Sequence, residues 1–160
     1  MSAGRWGLTA QTLALLAFTA VLGTAAQWWS PTRIPWREDW SHFVQAKALK
    51  AGLTLATVEE TAALLQAGQH LVLDARPLSD YEAGRLPGAL SLPQTKLDDS
   101  YPQISPLLSP AQPLLVYCTG HECDESYELC LFLRAQGFTN VVLFVGGFTD
   151  WKAAGLEVER

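Results

Sequence analysis

Four short runs are apolar along most of their length: His70–Asp74 (HLVLD), Ala89–Leu92 (ALSL), Pro113–Tyr117 (PLLVY) and Val141–Phe144 (VVLF). A strand with one wet face alternates polar and apolar residues. These runs do not, so they predict strands buried on both faces. Helix signals separate them. Thr57-Val-Glu-Glu60 is a capping box, predicting a helix to about Gln66 with a stop at Gly68. Ser79-Asp-Tyr-Glu82 is a second box, opening a short helix that ends at Gly84. Residues 94–112 are rich in Pro, Ser and Asp and are read as irregular with one short helix. Ser126–Gln136 reads as a helix stopped by Gly137, and Gly146-Gly147 turns the chain into a last short helix through Trp151. Buried strands alternating with helices imply an α/β fold, a central parallel sheet flanked by helices. In such sheets the functional crevice lies beyond the strand C-terminal ends. That singles out Asp74-Ala75-Arg76 and the segment from Cys118 to Ser126.

Charge divides the chain. Only 17% of its 160 residues are charged and the net charge is −5, which argues against a disordered chain and against a nucleic-acid partner. Three cysteines are too few for a disulfide scaffold. From Trp6 to Thr32 no residue is charged. As a helix, Leu8–Ala26 would be about 28 Å long, near the hydrocarbon thickness of a bilayer. Tryptophans at both ends (Trp6, Trp28, Trp29) suit headgroup layers. The expectation is an N-terminal transmembrane helix, with a signal peptide cleaved after Thr24-Ala25-Ala26, or a helix buried in the core, as the alternatives. Its Thr and Gln residues suit a partner helix of a membrane protein. Three segments follow: 1–29 as membrane anchor or signal peptide, 30–51 as connector, and 52–160 as the α/β domain. The short tail before the span resembles a bacterial signal-anchor, placing the protein in the bacterial inner membrane as a single-pass protein with the domain periplasmic. Within the connector, Trp36–Lys50 is expected as a helix with Trp36, Trp40 and Phe43 on one side. That side either faces a membrane or partner, or covers an edge of the domain.

Cys118 directly follows the strand Leu114–Tyr117, and a helix is expected eight residues later. A loop between a strand end and a helix start can turn several backbone N–H groups inward, with the helix dipole behind them. A cysteine at its centre would be held as a nucleophilic thiolate. The competing reading is a buried apolar filler.

From Gly52 to Glu159 the sequence resembles the rhodanese-like domain family. LVLDARPLSDYEAGRLPGALSLP looks like the family's first signature, PLLVYC like the strand leading to its catalytic cysteine, and RAQGFTNVVLFVGGFTDWKAAGLEVE like its closing strand, Gly-Gly turn and Trp. The resemblance implies a sulfurtransferase in which Cys118 takes a sulfane sulfur as a persulfide and passes it on. Its partners would be a sulfur donor and a thiol acceptor, small molecule or protein. The loop Thr119, Gly120, His121, Glu122, Cys123, Asp124 and Glu125 would cradle the persulfide. Asp74 and Arg76 match paired residues that brace the site. No cofactor and no metal are implied.

The departures from the family pattern are informative. The loop reads as two residues longer than usual, near the length in rhodanese-fold phosphatases, yet no arginine follows Cys118 until Arg134. Glu122, Asp124 and Glu125 would raise a thiolate's pKa and repel anions, which argues against phosphatase activity and against efficient use of thiosulfate. Arg85 stands where the family commonly has histidine. Cys123 could resolve a persulfide or sulfenic acid on Cys118 as a disulfide, or simply wall the loop. Cys118, His121 and Cys123 have no common zinc spacing. His121 could shuttle a proton or be a solvated loop residue, and Cys130 reads as core. Three functions remain open at this point: a sulfurtransferase, a thiol–disulfide redox element on Cys118 and Cys123, and a non-catalytic binding module.

Overall fold

The computed structural model describes residues 3–29 and 42–160. The chain forms two units, Met1–Glu38 and Asp39–Arg160.

In the first unit the uncharged stretch is helical, as α1 (Ala3–Trp29). Its large apolar side chains, such as Leu13, Leu16, Phe18 and Val21, are exposed. Among the described residues no helix is long and apolar enough to cross a membrane, so the expected transmembrane anchor is not supported. Gln11, Thr12, Thr19, Gly23 and Thr24 dilute the apolar character. The Thr19 hydroxyl donates to the Leu16 carbonyl at 3.0 Å, and that of Thr24 donates to the Ala20 carbonyl at 3.0 Å.

The second unit begins, among the described residues, with α2 (Phe43–Lys50), which buries Val44 and Ala48. The last part of the expected connector therefore packs as part of the folded unit. Trp36 and Trp40 lie outside the described residues. After α2 come β1 (Thr54–Ala56), α3 (Val58–Ala67), β2 (Leu71–Asp74), α4 (Leu78–Ala83) and β3 (Leu90–Ser91). Then follow α5 (Leu97–Ile104), β4 (Leu114–Tyr117), α6 (Asp124–Ala135), β5 (Val141–Phe144) and α7 (Gly147–Ala153). The strands form one parallel sheet in the order β1-β5-β4-β2-β3.

Successive side chains on the strands enter opposite cores. Leu73, Val116 and Leu143 pack with Leu129, Cys130 and Leu133 of α6. Val72, Leu115, Tyr117 and Phe144 pack with Leu86 and Trp151. This two-sided burial is why the runs of β2, β4 and β5 lack alternation; β3 lies at the sheet edge with Leu90 and Ser91 half-buried, so the run Ala89–Leu92 is not buried on both faces as expected.

Local chemistry sets most helix ends. The α3 capping box forms, with Glu60 N donating to Thr57 Oγ1 at 3.2 Å and Thr57 N to Glu60 Oε2 at 2.8 Å. Gly68 closes α3 in the left-handed region, at φ 64°. The box expected at Ser79 does not form: α4 begins at Leu78 after Pro77, whose ring presets the turn (φ −52°) and starts it earlier. The edge strand β1 carried no signal in the sequence. Three residues are too short for a pattern, and its pairing with β5 defines it.

Candidate active site

Asp74 and Tyr117 are register partners on the adjacent strands β2 and β4, so the segments after them leave the same edge of the sheet. The two ends are built differently.

At the β2 end, Asp74 is fully buried and Arg76 is 3% exposed. Arg76 donates from Nε to Asp74 Oδ1 at 3.0 Å, from NH2 to Oδ2 at 2.6 Å, and from NH2 to the Gly84 carbonyl at 2.7 Å. The Tyr117 hydroxyl donates to Asp74 Oδ2 and accepts from Leu86 N at 3.2 Å. Burial and then the Asp74 charge push the Tyr117 phenol well above its usual range, so it remains a neutral donor. Burial pulls the Arg76 pKa down, but hydrogen bonding and charge from Asp74 outweigh it and raise the net value. The guanidinium also stacks on Phe148, with Cζ 4.2 Å from the ring centroid. Asp74 thus binds Nε and NH2 of Arg76, and NH2 also reaches the Gly84 carbonyl. The pair clamps the β2 end to the α4 end and to β4.

At the β4 end, Cys118 and Cys123 are joined by a disulfide, with Cα atoms 6.2 Å apart. A turn in which Cys123 N donates to the Gly120 carbonyl at 3.0 Å brings the chain back on itself. Cys118 is only 2% exposed. A cleft of about 590 Å³ beside it is lined by Gly120, His121, Glu122, Cys123, Glu125 and neighbours, but not by Cys118. In this oxidised form Cys123 faces the cleft and Cys118 lies under cover.

The helix α6 begins at Asp124, two residues before the expected start at Ser126. Asp124 and Glu125 are therefore its first turn, where carboxylates are favoured by unpaired N–H groups and the helix dipole. The loop proper is correspondingly shorter than the sequence reading. Asp124 Oδ1 is also paired with Lys47 Nζ of α2 at 3.0 Å. Of the three loop carboxylates, the one at the sulfurs is Glu125, whose Oε2 is 2.8 Å from Cys123 Sγ and 3.9 Å from Cys118 Sγ.

The remaining loop residues are braced by α7. His121 Nε2 lies 2.9 Å from Asp150 Oδ2, which directs the ring to α7. Its Nδ1 is buried without a hydrogen-bond partner. Phe148 N donates to the Cys118 carbonyl and Thr149 N to the Thr119 carbonyl, both at 2.9 Å. Gly147 sits at φ +58°, and a Cβ there would lie 2.4 Å from the Cys118 carbonyl oxygen and 2.9 Å from Gly120 N. No other residue type fits that approach. Sequence reading found Gly147 only as a turn, and missed Asp150, Phe148 and Tyr117 as site residues. The Gly-Gly pair following a buried strand was the available signal.

Cys118, Cys123 and Glu125 bring three potential metal-ligand atoms within 4.8 Å of one another. His121, the third residue of the Cys/His set weighed from the sequence, is held away on Asp150. Bonded to each other, the two sulfurs offer no thiolate, and three ligands do not complete a four-coordinate structural zinc site. Cys130 is separate, fully buried on the core face of α6, and burial pushes its thiol well above the usual range.

A parallel sheet with a cysteine at the end of β4 and a helix directly behind it defines the class. The rhodanese-like domain model matches residues 57–154, and the chain belongs to that family. The thiosulfate sulfurtransferase GlpE of Actinobacillus succinogenes is 29% identical over 106 residues, covering 66% of this chain and 90% of the relative. The HTH-type transcriptional regulator Rv0324 of Mycobacterium tuberculosis is 30% identical over 95 residues, or 59% of this chain, which spans only 40% of that relative's length. Among solved structures, the Alr3790 protein of Anabaena matches with a TM-score of 0.57 at 28% identity, covering 65% of this chain and 90% of the other. A thiosulfate sulfurtransferase from Pseudomonas aeruginosa matches with a TM-score of 0.58 at 25% identity, covering 76% of this chain and 23% of the other.

Proposed function

We propose that this protein is a sulfurtransferase whose reduced form carries sulfane sulfur as a persulfide on Cys118. The observation that carries the reading is the position of Cys118, directly after the buried strand β4 and ahead of the N-terminus of α6. The sulfurtransferase names among the relatives support it. The donor class follows from charge. Glu122 and Glu125 line the cleft, and carboxylates repel thiosulfate, whose two charges sit on one small group, more than glutathione persulfide, whose charges are spread over a tripeptide. The acceptor is a thiol, of a small molecule or a protein. The loop Thr119–Glu125 shapes the approach to the sulfur, and Asp74 with Arg76 holds the neighbouring strand end in place.

The test is a single exposure of pre-reduced, reductant-free chain to glutathione persulfide. We expect rapid release of about one equivalent of glutathione per chain, none from C118S or the oxidised chain, and release about tenfold slower with thiosulfate as donor, read as sulfite. Equal release from C118S would sink the reading.

A further inference from the structure

We propose that Cys123 is a resolving cysteine, so that the protein is a sulfane-sulfur reductase releasing sulfide. The inference rests on the reading of Cys118 as sulfur carrier and adds the fate of the sulfur.

The two sulfurs are already bonded, across a Cα separation of 6.2 Å that lies within the ordinary range for disulfides. The loop turn that brings them together is held by backbone, Cys123 N to the Gly120 carbonyl. Sulfur loaded on Cys118 therefore has a thiol poised beside it before any external acceptor arrives. An intramolecular partner acts at a high effective concentration, so it competes well against free thiols. Cys123 also lines the cleft, whereas Cys118 is 2% exposed.

The step balances. Glutathione persulfide, or another low-molecular-weight persulfide, gives its outer sulfur to the Cys118 thiolate and leaves as the thiol. The Cys123 thiol then attacks the inner sulfur of the Cys118 persulfide, and its proton passes by way of Glu125 Oε2, 2.8 Å away, to the outer sulfur. The bond between inner and outer sulfur breaks, and the outer sulfur departs with the electron pair as hydrosulfide. The products are the Cys118–Cys123 disulfide and one sulfide. The two thiols supply the two electrons that reduce the sulfane sulfur, and an external dithiol reductant restores them.

Glu125 favours this outcome. With its Oε2 2.8 Å from Cys123 Sγ, the carboxylate accepts a hydrogen bond from the Cys123 thiol in the reduced form and aims it. Its charge opposes any anion left nearby, a persulfide anion or hydrosulfide included, and does not oppose the neutral disulfide. The acidic position that weakens a simple thiolate carrier thus favours its resolution.

The experiment uses the full chain, reduced, freed of reductant under anaerobic conditions, and mixed with one equivalent of glutathione persulfide. Sulfide is assayed and intact mass recorded. Wild type is expected to release about one sulfide per chain and to end about 2 Da lighter, with the 118–123 disulfide confirmed by peptide mapping. C123S is expected to gain about 32 Da on Cys118 and to release less than a tenth of that sulfide. If wild type instead keeps the added sulfur without releasing sulfide, or C123S releases as much as wild type, the resolving role is overturned while Cys118 remains a carrier. If neither protein takes sulfur from the donor, the carrier reading itself fails. The wild-type mass and disulfide map decide the matter even where C123S does not fold.

Discussion

The ends of β2 and β4 leave the sheet side by side, yet they are held by opposite means. After β2, Asp74 and Arg76 form a buried ion pair whose bonds are all spent internally, on each other, on Tyr117 and on the Gly84 carbonyl. After β4, a single covalent bond between Cys118 and Cys123 closes the loop, and two electrons open it. The first arrangement has no bond that a redox change can open. The second has one. A sheet edge of this kind lets one loop change redox state while its neighbour keeps the frame fixed.

The largest expected effect breaks the fixed side. D74A leaves Arg76 as an unpaired charge 3% exposed, and is expected to lower stability by about 3–5 kcal/mol in urea denaturation. A loss below about 1 kcal/mol would show that water or another group replaces the carboxylate.

Opening the other side is expected to be milder. The loop closed by the disulfide is short, with a sequence separation of 5, so reduction should cost about 2 kcal/mol. Thermal melting of the chain with and without a phosphine reductant measures it. A reduced chain as unstable as D74A would mean that the sulfur bond holds the sheet itself together, and the comparison would fail.

The smallest effect concerns Cys130. Burial raises its pKa above the ordinary thiol value of 9.0, so it stays protonated through pH 9. Iodoacetamide on the reduced, folded chain should therefore label Cys118 and Cys123 first, with Cys130 silent until the pH climbs beyond that value. Peptide mapping across a pH series reads this directly. Early labelling of Cys130 would place mobility in α6 that its packing does not show.

Much of the fold could be read along the chain. The buried runs of β2, β4 and β5, the Thr57 box and the Gly68 stop are local signals, and the structure keeps them. Most of what escaped depends on residues far away in sequence; the start of α4, set locally by Pro77, is the exception. The strand β1 exists through its partner β5. The start of α6 shifted because Asp124 and Glu125 serve the helix terminus, and Lys47 of α2 neutralises the first of them. The uncharged N-terminal stretch was legible as a helix, α1, but its expected role as a span found no support.

The sequence by itself determined that this chain is an α/β domain with a cysteine at the end of a buried strand, because hydrophobic periodicity, caps and turn glycines act over a few residues. Only the tertiary structure decided that Cys123 closes on Cys118, that Glu125 is the carboxylate at the sulfurs, that His121 leans on Asp150, and that Gly147 must lack a side chain. Each of these is a matter of a few ångströms between groups that separate elements carry. The backbone path, and not the order of residues along it, sets such distances.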